Sequence, residues 1–240
     1  MYRPWLASLL CVTAAQAQSA TPKVVALDAF HNDESRLPDH YKFDGVRPGG
    51  YSELANLLVG LGAQLKTVRE RVTPEVLHGV KVFIVVDPNT PARATDPKYI
   101  LQDEIAAIEA WVRAGGRLVL LGNNKGNCEF EHFNQLACRF GIEFLEETYP
   151  KVEGKGILVA RGDTFIFNGA PEVYMVEIAP LKVSAGVKIL LADHGTPIMA
   201  LAQANKGEVF ALGDPWLYNE YIDYRNNRAV ATNLFRHLLR

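Results

Sequence analysis

Three short apolar runs, each leading through a polar loop into an amphipathic helix, constrain this chain more than any of its other features. The runs are Lys23-Val-Val-Ala-Leu-Asp-Ala-Phe30, Val80 to Val86, and Arg117 to Leu121. Leu54, Leu57, Leu58 and Leu61 recur at helical spacing after Ser52, and Gly60 and Gly62 stop that helix. Ile105, Ile108, Trp111 and Val112 form the apolar stripe of a second helix, Ile100 to Ala114, which Gly115-Gly116 ends. A third helix is expected from Cys128 to Phe140, a short strand from Leu65 to Val68, and a helical turn at Thr73-Pro74-Glu75. Strands that alternate with helices over connections too long for hairpins imply a mainly parallel sheet covered on both faces. The expected fold class is therefore α/β, a three-layer sandwich.

The rhythm changes between about Phe144 and Leu191. Short segments at Ile157 to Val159, Thr164 to Phe167, Val173 to Ile178 and Val187 to Leu191 are separated by turn residues, which reads as a β-rich insertion. Val209 to Leu212 restores a core strand, and Asn226 to Leu239 closes the chain as a helix with Val230, Leu234, Phe235 and Leu238 facing inward. No repeat or low-complexity linker divides the chain, so residues 22–240 read as a single domain. Residues 1–17 read as a signal peptide: Arg3, the apolar stretch Leu6 to Ala15, and the small-x-small site Ala15-Gln16-Ala17. The mature chain is then expected to be periplasmic or secreted, with no membrane association after cleavage. Its cysteines, Cys128 and Cys138, stand ten positions apart in one expected helix. That is about 15 Å along the axis, beyond disulfide reach, so both read as reduced and packed. A formal net charge of −2 without a basic stripe argues against a nucleic-acid partner.

In open α/β sheets ligands sit beyond the carboxyl ends of the strands. Four strand ends supply the candidates. The first offers His31, Asn32, Asp33, Glu34 and Arg36, and the second Asp87. The third offers Asn123, Asn124, Lys125, Asn127, Glu129, Glu131 and His132, and the last Asp214, Trp216, Tyr218, Asn219 and Glu220. Amides and carboxylates beside aromatic faces suit a sugar or another polar ring. Glu34, Asp87, Asp214 and Glu220 are the candidate catalytic acids. Each piece also has an ordinary structural reading: Asp87-Pro88 and Asp214-Pro215 as turns, Asn123 and Asn127 as helix caps, His132 as a packed or solvated histidine, Trp216 as rim packing. Nucleophilic chemistry is disfavoured. The elbow Gly122-Asn-Asn-Lys-Gly126 carries Asn124 where a Ser or Cys would stand, and Glu129 and Glu131 would raise the Cys128 pKa. No dinucleotide fingerprint follows the first strand and no spacing matches a metal motif, so neither cofactor nor metal is expected.

Several segments carry a family likeness: His31-Asn-Asp-Glu, His40-Tyr-Lys-Phe-Asp-Gly, Phe83-Ile-Val-Val-Asp-Pro88, Ala110-Trp-Val-Arg-Ala-Gly-Gly116 and Gly213-Asp-Pro-Trp-Leu-Tyr-Asn-Glu-Tyr221. Together they resemble the accessory C-terminal domain of bacterial unsaturated rhamnogalacturonyl hydrolases, and more distantly the class I glutamine amidotransferase-like group. The resemblance implies a flavodoxin-like sheet and a setting in pectin (rhamnogalacturonan) breakdown. It carries no catalytic residue over: the hydrolytic reaction of those proteins belongs to a separate helical barrel, and the amidotransferase cysteine is replaced by Asn124. The expected function is a non-catalytic domain that binds a pectin-derived saccharide or a partner glycoside hydrolase. The alternatives are a carboxylate-dependent hydrolase of pectic saccharides and an assembly module for a glycosidase.

Overall fold

The computed structural model describes residues 23–34, 37–151 and 156–240, so the leader expected at 1–17 and Arg36 lie outside the described residues. The centre is a seven-stranded sheet of order β2-β1-β3-β4-β11-β10-β9. Its strands are β1 (Lys23–Asp28), β2 (Ala63–Val68), β3 (Val80–Val86), β4 (Arg117–Leu121), β9 (Lys188–Asp193), β10 (Thr196–Ala204) and β11 (Gly207–Leu212). β2, β1, β3, β4 and β11 run parallel, while β10 and β9 add an antiparallel edge. The 2-1-3-4 order places the topological switch between β1 and β3.

The apolar runs form strands because each feeds two cores at once. Val25 and Leu27 of β1, Val82, Ile84 and Val86 of β3, Val119 and Leu121 of β4, and Phe210 and Leu212 of β11 enter one core. Their neighbours Ala26, Phe83, Val85, Leu118, Leu120, Val209 and Ala211 enter the other. A period of two with both faces apolar is what a covered sheet demands. The first core is closed by α1 (Ser52–Gly60) and α4 (Asn227–Leu238), the second by α2 (Gln102–Arg113) and α3 (Phe130–Ala137). This is the expected three-layer α/β sandwich.

The carboxyl half differs in detail. β5 (Ile142–Phe144) pairs with β8 (Leu181–Val183), and β6 (Leu158–Arg161) with β7 (Glu172–Met175), each pair antiparallel. Thr164 to Phe167 is not a strand, since Phe165–Phe167 forms one 3-10 turn. α3 is shorter than expected, and Cys138 starts a 3-10 turn after it. Both cysteines are free, but Cys138 is exposed rather than packed. Among the described residues, no helix is long and apolar enough to cross a membrane.

Candidate functional site

The parallel strands β1, β3, β4 and β11 end on one edge, and their exits interlock there. Asp87 N donates to Leu121 O at 2.8 Å, and Gly122 N to Leu212 O at 2.8 Å, so the ladder continues one residue past β3 and β4. Gly213 then breaks β11. A Cβ there would stand 1.7 Å from Ala179 O, so only glycine admits the loop before β8.

Three loop residues at this edge hold left-handed backbone: Tyr41 (φ +49°), Asp87 (+44°) and Trp216 (+50°). For side chains of this size such conformations cost about 1–3 kcal/mol each and persist only where surrounding contacts enforce them. Two of the others, His194 and Asn205, sit in the tight turns of the β9–β10 and β10–β11 hairpins, where the conformation is ordinary.

A cleft of about 290 Å³ opens over this edge. One wall is an ion network. Arg93 Nη1 reaches Asp87 Oδ2 at 3.2 Å, and its other nitrogens lie 3.4 Å from Glu34. His40 Nδ1 is 3.0 Å from Glu34 Oε2, the tautomer in which Nδ1–H donates to the carboxylate. Asn123 Nδ2 donates to the same Asp87 oxygen at 3.0 Å. The other wall comes from the β-rich insertion: Glu177 accepts from Asn124 Nδ2 at 2.8 Å, and Asn127 donates to Asn124 Oδ1. Asp214, Tyr218, Glu220 and Tyr221 complete the lining. Arg93 and Glu177 were not among the sequence candidates, and His40 and Tyr41 stood only in a segment that carries the family likeness.

Two carboxyl groups govern the electrostatics. Burial pushes Asp87 up to about 7, against Arg93 and the Asn123 amide, which favour its charged form. Burial likewise pushes Asp214 up to about 7, against the Trp216 N–H that it accepts, and the charge of Asp87 adds to the rise. Asp87 Oδ1 is buried without a hydrogen-bond partner. Glu34 behaves differently: burial works against its charge, but the His40 hydrogen bond and the Arg93 charge hold it below the usual carboxylate range. Burial holds the phenols of Tyr41, Tyr51 and Tyr218 above their ordinary value, so they stay protonated donors.

A raised folded-state pKa means that the group's contribution is fully present below its unfolded value and lost as pH rises through the folded one. For Asp214 the window runs from 3.8 to about 7. Asp214→Asn keeps an oxygen for the Trp216 N–H. It is therefore expected to be more stable than wild type by a few kcal/mol at pH 8, with no gain at pH 3.5. Urea denaturation at the two pH values measures the difference, and an equal effect at both would contradict the burial of an ionised Asp214.

Not every candidate lines the cleft. Trp216 is 1% exposed and belongs to the α1/α4 core, so it offers no stacking face. His31 and Asn32, in the loop after β1, are each 1% exposed. His31 Nδ1 is 2.6 Å from Asp28 Oδ2, while Asn32 donates to Val86 O at 3.0 Å and accepts Lys42 Nζ on its carbonyl. Asn219 donates to Gly45 O, Arg47 O and Ser52 Oγ and accepts Glu53 N at 2.9 Å. It thus caps α1 from another loop, where Tyr51 supplies no side-chain cap. Glu34 and Asp87 stand behind the wall they hold, whereas Asp214 and Glu220 face the cleft.

α3 is capped by Glu129, which accepts His132 N, and not by Asn123 or Asn127. His132 pairs with Glu129 at 3.0 Å and stacks on Tyr99, outside the cleft. Glu129, Glu131 and His132 could bring one ligand atom each within 4.8 Å of the others, but the first two make a helix start and its cap. Burial, with Asp87 and Glu129 nearby, drives the Cys128 thiol well above its ordinary value, so it is no nucleophile.

A family model described as a domain of unknown function, DUF4350, matches residues 44–235. Among solved structures the chain is similar to the mmIFT52 N-terminal domain, with a TM-score of 0.71 and 17% identity over 90% of this chain and 97% of that one. It is also similar to a cytoplasmic protein from Salmonella typhimurium LT2 (TM-score 0.63, 14% identity, 90% of this chain and 99% of that one). A third is the β-galactosidase of Bacillus circulans sp. alkalophilus (TM-score 0.56, 15% identity), where 92% of this chain matches 31% of that one. At such identities the likeness shows the fold. A search of curated proteins finds no match.

Proposed function

The chain belongs to the DUF4350 family, and from that premise we propose that it is an exported saccharide-binding domain whose ligand is a pectin-derived oligosaccharide. The observation that carries this reading is the lining of the cleft. Amides from Asn123, Asn124 and Asn127, the phenol of Tyr218, the His40 ring, Arg93 and the acids Asp214 and Glu220 converge on one space. Such a lining offers donors and acceptors in every direction, which a hydroxyl-covered ligand needs if none of its groups is to be buried unpaired. The tyrosines supply the aromatic surface that Trp216 does not. The link to pectin rests on the residue resemblance of the strand-end loops. A similar fold forming about a third of a β-galactosidase chain is compatible with service beside a glycosidase.

Calorimetric titration with galacturonan and rhamnogalacturonan oligosaccharides tests the proposal. Wild type is expected to bind, and Asn124→Ala to bind on the order of fivefold more weakly through loss of one neutral hydrogen-bonding group. Absence of binding by wild type across the panel would reject the saccharide reading.

One observation favours a second reading, a hydrolase. Asp87 and Asp214 are buried acids whose pKa values burial brings to about 7, the range in which a carboxyl group can both give and take a proton. In that case purified protein releases reducing ends from a pectic oligosaccharide, and Asp214→Asn abolishes the release while leaving binding intact. If no product appears with wild type, the binding reading stands alone.

A further inference from the structure

A second compartment adjoins the cleft through His40. It measures about 190 Å³ and is lined by Leu37, Asp39, His40, Arg47, Pro48, Gly49 and Gly50. His40 and Gly49 belong to both spaces. The His40 ring is the partition, and it is fixed from three sides. It stacks on Tyr41 with centroids 4.3 Å apart, and Glu34 holds its Nδ1 at 3.0 Å. Gly49 lies so close that a Cβ there would stand 2.1 Å from the ring.

The two compartments differ in chemistry. The cleft is crowded with polar side chains. Among the described residues that line the smaller space, the acid and base besides the shared histidine are Asp39 and Arg47, and they pair with each other at 2.7 Å. What remains is the Leu37 side chain, which is 42% exposed, the Pro48 ring and glycine backbone. A second sugar ring would bury more hydroxyls than this lining can pair. A small apolar group would bury there without that cost.

We propose that this compartment is a subsite for an O-acyl substituent on the saccharide whose polar body occupies the cleft. The assignment rests on the saccharide-binding reading of the cleft and adds to it a preference for esterified ligand. His40 sets the register between the two spaces: the sugar lies on the Arg93 side of the ring and its acyl group on the Leu37 side.

The test uses acetylated rhamnogalacturonan oligosaccharides and the same material after mild de-acetylation, titrated into the full chain. Acetylation leaves the ligand's charge unchanged, so a difference reads the acyl group. Wild type is expected to bind the acetylated form on the order of tenfold more tightly, the discrimination a small apolar pocket achieves. Leu37→Asp changes a half-exposed position and is expected to fold, which circular dichroism checks. It should lose the preference while keeping the affinity for the de-acetylated form. Equal binding of both forms by wild type would overturn the subsite and leave the cleft intact, and so would a preference that survives in Leu37→Asp. No binding of either form would overturn the underlying reading along with it.

Discussion

Replacing Trp216 with alanine is expected to cost about 3–5 kcal/mol of folding stability, the range for removing a buried tryptophan. The residue follows the Asp214-Pro215 turn, where a large aromatic reads as readily as a ligand platform. The structure buries it to 1% exposure in the core that α1 and α4 close. Its backbone is held at φ +50° and its N–H is fixed by Asp214. The same loop is tied down on both sides: Tyr51 donates to Pro215 O at 2.7 Å, and Asn219 N donates to Gly50 O at 2.8 Å. Losing the indole therefore leaves a cavity whose walls cannot collapse far, which puts the cost toward the upper end of that range. Urea denaturation gives the number. A Trp216→Gly variant relieves the left-handed backbone as well, so the difference between the two substitutions isolates the strain. A loss under about 1 kcal/mol for alanine would place the ring at the rim of the cleft after all.

Trp216 also shows where sequence reading stops. The carboxyl ends of the strands were legible because a parallel sheet turns chain order into spatial adjacency, and Asp87, Asn123 and Asp214 do meet at one edge. The depth of each residue below that edge was not legible. His31, Asn32 and Asn219 have the composition of ligand residues but bond to the protein itself. Arg93 was missed, and His40 was read only as part of a family-likeness segment, because both lie in long loops, several residues beyond the strand ends, where no periodicity marks a direction. β10 was missed for another reason. Thr-Pro-Ile-Met-Ala-Leu-Ala-Gln-Ala is rich in alanine and carries a proline, and neither favours a strand in isolation. It pairs with β11 on one side and β9 on the other, and that tertiary pairing outweighs the local preference.

The second large effect concerns His31, which the sequence offered as a ligand residue and the structure makes a buried cation. Its ring lies between two acids, Asp28 at 2.6 Å and Glu104 at 3.5 Å, all 1% exposed. Burial alone would lower its pKa, but the Asp28 charge and hydrogen bond, with Glu104, raise it to about 10. Glu104 also accepts Val72 N at 2.8 Å and Leu101 N at 3.1 Å, so the cluster joins β1 to the start of α2 and to the segment after β2. His31→Gln removes the positive charge and leaves two buried carboxylates facing each other. The expected cost at pH 6 is about 3–5 kcal/mol, as for other buried pairs stripped of one member. The pH dependence gives the sharper check. A raised pKa means a contribution fully present below 6.5 and lost as pH rises through about 10, so the gap between wild type and variant should close on the alkaline side. Lys42 complicates wild type alone, because burial lowers it to about 8 and it returns stability as pH rises from there to 10.5. Both proteins carry Lys42, so the difference between them cancels its effect. On the acid side the gap should also narrow as Glu104, held down to about 2 by the His31 hydrogen bond and the two N–H groups in spite of burial, takes up its proton. A gap that stays constant from pH 6 to pH 10.5 would mean that His31 is neutral in the folded chain and that the variant's cost comes from packing.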